Sequence, residues 1–370
     1  MAKIIVISSF AESLINFRGL LLKKMAENGH EVLACSPDAS LDIQEELKKL
    51  GIMHQSIPID RTGLNPVKDI YTICRIVSLF REIRPDVILS YTIKPVIYGS
   101  LAGQITGVPN IFSMITGLGY TFSDGGQIDG LFGAVVRFLY RLAINYNRRV
   151  FFQNPDDRYF FIKQKLIHSF EQTALINGSG VDIDFFQPAP LPEKVSFLLI
   201  ARLIKDKGIL EYAQAARMVK AKYPQTIFRL VGWIDEGLQG ISNADLVSWV
   251  KEGIIEYLGR LDDIRPSVAD ASVYVLPSYR EGIPRTVLEA MSMGRPVITT
   301  HAPGCRETVE EGCNGFLVPV KDVAALAKAM EKFIEEPEFV SKMGQQSRQI
   351  AVEKYDARKV NAVILETMGL

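Results

Sequence analysis

Short apolar runs recur along this chain, separated by longer stretches in which apolar residues return every three or four positions. The runs fall at 3–8, 31–35, 52–58, 86–90, 110–114, 149–153 and 173–177, then at 196–201, 226–231, 254–258, 273–276, 296–300 and 315–318. Helical periodicity fills the gaps, for example around 17–28, 66–83, 130–146 and 156–167. Strands alternating with helices predict an α/β protein built on parallel, doubly wound sheets. The alternation pauses at Gln187-Pro-Ala-Pro-Leu-Pro-Glu193, where prolines at every second position make an extended connector. Two α/β domains are therefore expected, residues 1–186 and 195–355, joined by 187–194. A final helix over 356–370 either closes the second domain or returns to the first. In such sheets ligands bind at the carboxyl ends of the strands, here expected in the cleft between the domains.

At 370 residues the chain can build two cores, and 48% of it is hydrophobic. Its 42 basic residues equal its 42 acidic ones, so no overall field favours nucleic acid. The run after Lys3 is too short for the apolar core of a secretory signal and is expected as a first buried strand. No stretch of about 20 uncharged apolar residues is present. Cys35, Cys74, Cys305 and Cys313 have neither CxxC spacing nor the density of a disulfide scaffold. Reduced thiols are expected, and His301 beside Cys305 and Cys313 is an incomplete metal set. Asn177-Gly-Ser179 fits a glycosylation sequon but also an ordinary turn.

Two segments carry chemistry. Arg202-Leu-Ile-Lys205-Asp-Lys207-Gly208 follows the apolar strand ending near Ile200, so Arg202 and Lys207 sit in a strand-to-helix loop. Arginine grips two oxygens of a diphosphate and lysine adds a mobile point charge. Such cations oppose the negative charge that builds on a departing phosphate. Read alone, the same loop also fits a solvated helix start.

The second segment is Glu281-Gly-Ile-Pro-Arg-Thr-Val-Leu-Glu289. On one continuous helix its two acids would lie about 12 Å apart. Gly282 and Pro284 predict instead a loop carrying Glu281, with Pro284 or Arg285 opening a helix that holds Glu289 one turn in. Backbone N–H groups at such a helix tip attract an oxyanion, and the two acids can hold hydroxyls of a sugar and a ribose. Two glutamates near the start of an ordinary helix would read the same way.

The ordered series Arg202…Lys207-Gly208, Leu258-Gly259, Pro277-Ser278, Glu281-Gly-Ile-Pro, Glu289-Ala-Met and Gly294-x-Pro-Val resembles retaining glycosyltransferases of family 4. The resemblance implies the GT-B fold of two facing Rossmann-like domains. It implies that Arg202 and Lys207 meet the diphosphate, that Glu281 contacts the donor sugar, and that Glu289 contacts the ribose. Gly282, Ile283, Pro284 and Arg285 belong to the same donor turn, and Arg260 and Leu261 to the loop against the base. No metal or other cofactor is implied, and Asp182-Ile-Asp184 matches a connector rather than a metal motif.

The first half resembles the subgroup that extends sugars on undecaprenyl diphosphate, through Asn16-Phe-Arg18, Arg61-Thr-Gly-Leu-Asn65-Pro66, Ser90-Tyr-Thr-Ile-Lys94 and Gly117-Leu-Gly119-Tyr120. It lacks the Gly-Gly turn that many members carry after the first strand. Arg18, Arg61, Lys94, Gly117 and Gly119 are the implied acceptor residues. Over 131–150 an apolar stripe (Leu131, Val135, Phe138, Leu142) runs beside a second one (Phe132, Val136, Leu139, Ala143). Arg137, Arg141 and Arg148 edge them, and no acid occurs from Leu131 to Pro155. That pattern suits a helix lying in a headgroup layer, Phe132, Arg137 and Arg141 foremost, and equally a core helix.

These readings converge on a cytoplasmic transferase held at the inner membrane face. It would move an N-acetylhexosamine or hexose from a UDP-sugar, with retention, to a polyprenyl-diphosphate-linked saccharide in surface-glycan assembly. The rivals are a GDP-sugar donor, a nucleotide-sugar epimerase within the same shell, and a non-catalytic sensor.

Overall fold

The computed structural model describes the chain apart from residues 61–64, 119–129 and 235–239, and only the backbone of 130–133. Two units divide it: Met1–Ser179 with Arg358–Leu370, and Gly180–Ala357.

In the first unit the order is β1 (Lys3–Ile7), α1 (Glu12–Asn16), α2 (Gly19–Glu27), β2 (Glu31–Ser36), α3 (Leu41–Lys49), β3 (Met53–Ser56) and α4 (Pro66–Ile83). Then follow β4 (Val87–Tyr91), α5 (Ile93–Thr106), β5 (Asn110–Ile115), α6 (Gly130–Ile144), β6 (Arg149–Phe152), α7 (Pro155–Lys163) and β7 (Thr173–Leu175). Among the described residues the strands form one parallel sheet, β3-β2-β1-β4-β5-β6-β7. Alternate residues of β1 explain the two-sided burial. Ile5 and Ile7 join a core with α4, α5, α6 and α7, and Ile4 and Val6 join one with α1, α2 and α3. Local signals start the helices: Asn65 accepts the N–H groups of Val67 and Lys68, with Pro66 at the first helical position.

The second unit runs β8 (Ser196–Ile200), α8 (Ile209–Lys222), β9 (Ile227–Val231), α9 (Asn243–Lys251), β10 (Glu256–Tyr257), α10 (Arg265–Ala269) and β11 (Val273–Leu276). It continues with α11 (Arg285–Ser292), β12 (Val297–Thr300), β13 (Gly315–Val318), α12 (Val323–Glu335) and α13 (Glu338–Lys354). Its parallel order is β10-β9-β8-β11-β12-β13. The order reverses between β8 and β11, and between β1 and β4 in the first unit. Those switch points leave room at the carboxyl ends of adjacent strands.

The units do not divide at the prolines. The 187–194 connector belongs to the second unit because the buried Arg295 guanidinium gathers it in. All five of its N–H groups donate to carbonyls, those of Ala189, Pro190, Val268, Ala269 and Met293, at 2.9–3.0 Å. Burial lowers its pKa to about 10, so it stays cationic at neutral pH. The chain passes between units after Ser179 and after Ala357, and the two passes run side by side. Val181 N–H donates to Tyr355 O at 2.8 Å, and Ala357 N–H donates to Val181 O at 3.0 Å. The last helix, α14 (Ala357–Met368), buries Val360, Ile364, Leu365 and Met368 in the core beneath β1 and β4. Of the two placements open to it, it takes the first unit.

Candidate active site

At the switch point of the second unit, the loop after β8 meets the loop after β11. Gly208 makes the approach possible: its φ is +69°, and a Cβ there would lie 2.2 Å from the Pro277 carbonyl oxygen. Tyr279 N–H donates to the Asp206 carbonyl at 2.8 Å, sewing the loops together by their backbones. The Lys207 ammonium then reaches Glu281 and donates to Oε1, which also accepts the Ser278 hydroxyl at 2.7 Å. Glu281 is held from behind as well. Its N–H donates to Pro303 O at 2.9 Å, and a Cβ on Gly304 (φ +82°) would lie 2.2 Å from Glu281 O. Arg202 lies half-buried in the same loop as Lys207, two residues past β8.

Pro284 occupies the N-cap position of α11 and Arg285 its first helical position. Gly282, Ile283 and Pro284 form the entry to it and are buried. Glu289 lies one turn inside, buried, with Arg285 Nε 2.7 Å from its Oε1. Desolvation holds its carboxyl above the ordinary carboxylate range, and the Arg285 charge offsets part of that rise. The sequence placed Lys207 and Glu281 on separate segments, and the structure brings them into contact.

Further along the carboxyl edge, Gly232 N–H donates to Gly259 O at 2.8 Å and Leu203 N–H to Trp233 O at 2.9 Å, linking the loops after β8, β9 and β10. The Arg260 guanidinium lies 5.2 Å from the centroid of the half-exposed Trp233 ring. Leu261 packs partly buried on the core. Trp233 escaped the sequence reading because a lone aromatic after a strand is indistinguishable from core. The Asp182 carboxylate accepts the N–H groups of Asp184 and Phe185 at 3.0 Å, an Asx turn. Cys305 is buried and its thiol is pushed up to about 12, which keeps it protonated.

At the switch point of the first unit, hydroxyls join the ends of β1 and β4. Ser8 Oγ and Ser13 Oγ are 2.7 Å apart, Ser13 Oγ and Tyr91 Oη 2.9 Å, and Ser9 Oγ and Thr92 Oγ1 2.8 Å. Thr92 holds φ +69° and ψ 162°, a conformation strained for a β-branched residue. Only the fold exposes these as a group. Arg18, an implied acceptor residue, lies buried behind these hydroxyls. It is 2% exposed, its Nη2 2.7 Å from Met114 Sδ and its guanidinium 5.3 Å from the Tyr91 ring centroid. Lys94 opens α5 but its charge meets Asp69 Oδ1 at 2.9 Å. Gly117 follows β5 with φ +121°, whereas Arg61 and Gly119 lie outside the described residues.

Helix α6 resolves the two stripes differently. Val136, Tyr140, Ala143 and Ile144 are buried in the core, while Val135, Phe138 and Leu142 stay 46%, 58% and 42% exposed. The helix is thus both a core helix on one face and an apolar surface on the other. Arg137 is half-buried on it. Arg141 Nε donates to Lys165 O at 3.0 Å, just past the end of α7, so part of its charge serves that helix terminus. The Phe132 side chain lies outside the described residues.

Family models for "Glycosyl transferases group 1" and "Glycosyl transferase 4-like" match residues 194–336 and 5–154. The N,N'-diacetylbacillosaminyl-diphospho-undecaprenol alpha-1,3-N-acetylgalactosaminyltransferase of Campylobacter jejuni is 25% identical over 364 residues, 95% of this chain and 94% of its own. The UDP-Gal:alpha-D-GlcNAc-diphosphoundecaprenol alpha-1,3-galactosyltransferase of Escherichia coli is 25% identical, over 76% of this chain and 74% of its own. Among solved structures, Anabaena HepE in complex with UDP superposes with a TM-score of 0.79 at 21% identity, covering all of both chains.

Proposed function

Since this chain belongs to the glycosyltransferases of group 1, with a 4-like first half, and is a transferase, we propose that it moves a sugar from a UDP-sugar to a polyprenyl-diphosphate-linked saccharide with retention. The observation that carries the reading is the junction of Lys207 with Glu281 at the switch point of the second unit. The two relatives whose names specify diphospho-undecaprenol acceptors support the acceptor class, and the name of one of them supports a UDP donor. Both are transferases, which does not favour the epimerase alternative.

In this reading the donor diphosphate takes the charge of Arg202 and Lys207, and Glu281, turned toward the sugar, accepts its hydroxyls. The C1–oxygen bond to phosphate breaks, the acceptor oxygen bonds C1 from the same face, and its proton passes to the departing phosphate oxygen. The positive end of the α11 dipole meets the charge that develops on that oxygen. Glu289 accepts hydroxyls of the ribose. The chain supplies fixed charge and orientation, and needs neither metal nor other cofactor for either role.

The exposed α6 stripe extends the proposal to location. Val135, Phe138 and Leu142 with adjacent arginines give an apolar, cation-edged surface suited to the headgroup layer of the inner membrane face, where the acceptor's lipid is held. The experiment is transfer from UDP-sugars to synthetic polyprenyl-diphosphate saccharides, followed by chromatography and anomeric NMR. Lipid-linked product of unchanged anomeric configuration supports the reading. Isomerised donor without acceptor, or donor bound without UDP release, removes it.

A further inference from the structure

The loops carrying Lys207 and Glu281 are fastened at a second place that involves neither of those side chains. Tyr279 N–H holds Asp206 O at 2.8 Å, and the Tyr279 phenol donates to Glu211 Oε1 at 2.7 Å. Glu211 stands in the first turn of α8, where the helix dipole favours its charge. Its other oxygen, Oε2, is buried without a hydrogen-bond partner among the described residues. The Lys321 ammonium lies 4.7 Å from the centroid of the Tyr279 ring and closes that side. A half-satisfied buried carboxylate is a costly way to hold a turn, since an apolar contact would leave no acceptor unpaired.

Its value follows from what donor binding does to the other fastening. A diphosphate competes with Glu281 for the Lys207 ammonium, so the ion pair that ties the loops in the free protein is weakened when the site fills. The Tyr279 contacts use neither the Lys207 nor the Glu281 side chain, so that exchange does not compete for them. We propose that Tyr279 and Glu211 are positioning residues that keep the Lys207 and Glu281 turns in register while Lys207 changes partner from carboxylate to phosphate. The inference rests on the donor site proposed above.

UDP titration by calorimetry and donor kinetics on the full chain test it, using Tyr279→Phe, Glu211→Ala and Glu211→Gln. Tyr279→Phe and Glu211→Ala should each weaken UDP binding and lower kcat/KM for the donor about tenfold, with the double variant no worse than either alone. Glu211→Gln keeps an oxygen for the phenol and should stay within about twofold of wild type. Melting temperatures separate positioning from collapse: the expected losses occur with Tm unchanged in Tyr279→Phe. Wild-type UDP affinity in Tyr279→Phe overturns the inference, as does a Glu211→Gln variant as impaired as Glu211→Ala, or losses that track Tm. If the unmodified protein binds none of UDP, GDP and ADP, the donor site itself is wrong and both readings fall.

Discussion

Lys207 and Glu281, 74 positions apart, share one ion pair in which the carboxylate oxygen also accepts the Ser278 hydroxyl. Their side chains are only 20% and 13% exposed, so each charge depends on the other. Lys207→Ala should therefore cost stability, by about 2 kcal/mol after allowance for residual exposure. Lys207→Met combined with Glu281→Gln should cost less, as denaturant unfolding would show. For transfer the order differs, because Lys207→Ala, Glu281→Ala and the double variant should each lose at least about 100-fold in kcat/KM.

Gly208 is the contact on which the loop approach depends. Alanine there would meet the Pro277 carbonyl at 2.2 Å in a left-handed backbone. Gly208→Ala should lower stability by about 1–2 kcal/mol from the backbone alone. By forcing the Lys207 and Glu281 loops apart, it should also abolish UDP binding, measured by calorimetry.

Glu289 predicts a pH dependence. Its native carboxyl binds a proton more tightly than the unfolded chain does, because burial outweighs the Arg285 charge. Its contribution to stability is therefore largest at low pH and falls as pH rises from the ordinary carboxylate value through the raised native one. In the proposed donor site the ribose hydroxyls donate to the ionised form, so UDP affinity should rise across the same interval. Glu289→Gln should flatten both trends in titrations from about pH 4 to about pH 8.

On α6, Val135 and Phe138 contribute surface rather than core. Val135→Glu with Phe138→Glu should leave Tm within a degree or two while reducing sedimentation with anionic liposomes several-fold, most clearly at low salt. Equal sedimentation would exclude this face as the membrane contact.

Arg295 anchors five carbonyls of the second unit. Arg295→Met should strand them and cost about 3 kcal/mol or more, read from urea unfolding.

The alternation of apolar runs with amphipathic stretches was enough to place the central strands, such as β4, β8 and β11, because a strand buried on both faces must be apolar along its length. Observed boundaries fall within a few residues of the expected ones, for example β1 at Lys3–Ile7 and β13 at Gly315–Val318. The turn that opens α11 was legible for a similar reason. Gly282 and Pro284 are local requirements of a loop that opens a helix, and local requirements leave a mark on sequence. Helix α5 left no amphipathic mark, since it is apolar all round and packed between α4, α6 and the sheet.

What only tertiary structure decided involves partners far apart in the chain. The burial of Arg18 against Tyr91 and Met114, the use of Arg295 to hold the proline connector, the pairing of Lys94 with Asp69, and the meeting of Tyr279 with Glu211 are all long-range. A cation reads identically in sequence whether it faces water, a carbonyl cage or a carboxylate. Its chemistry is set by which surfaces the sheets bring together, and the order of residues along the chain does not encode that by itself.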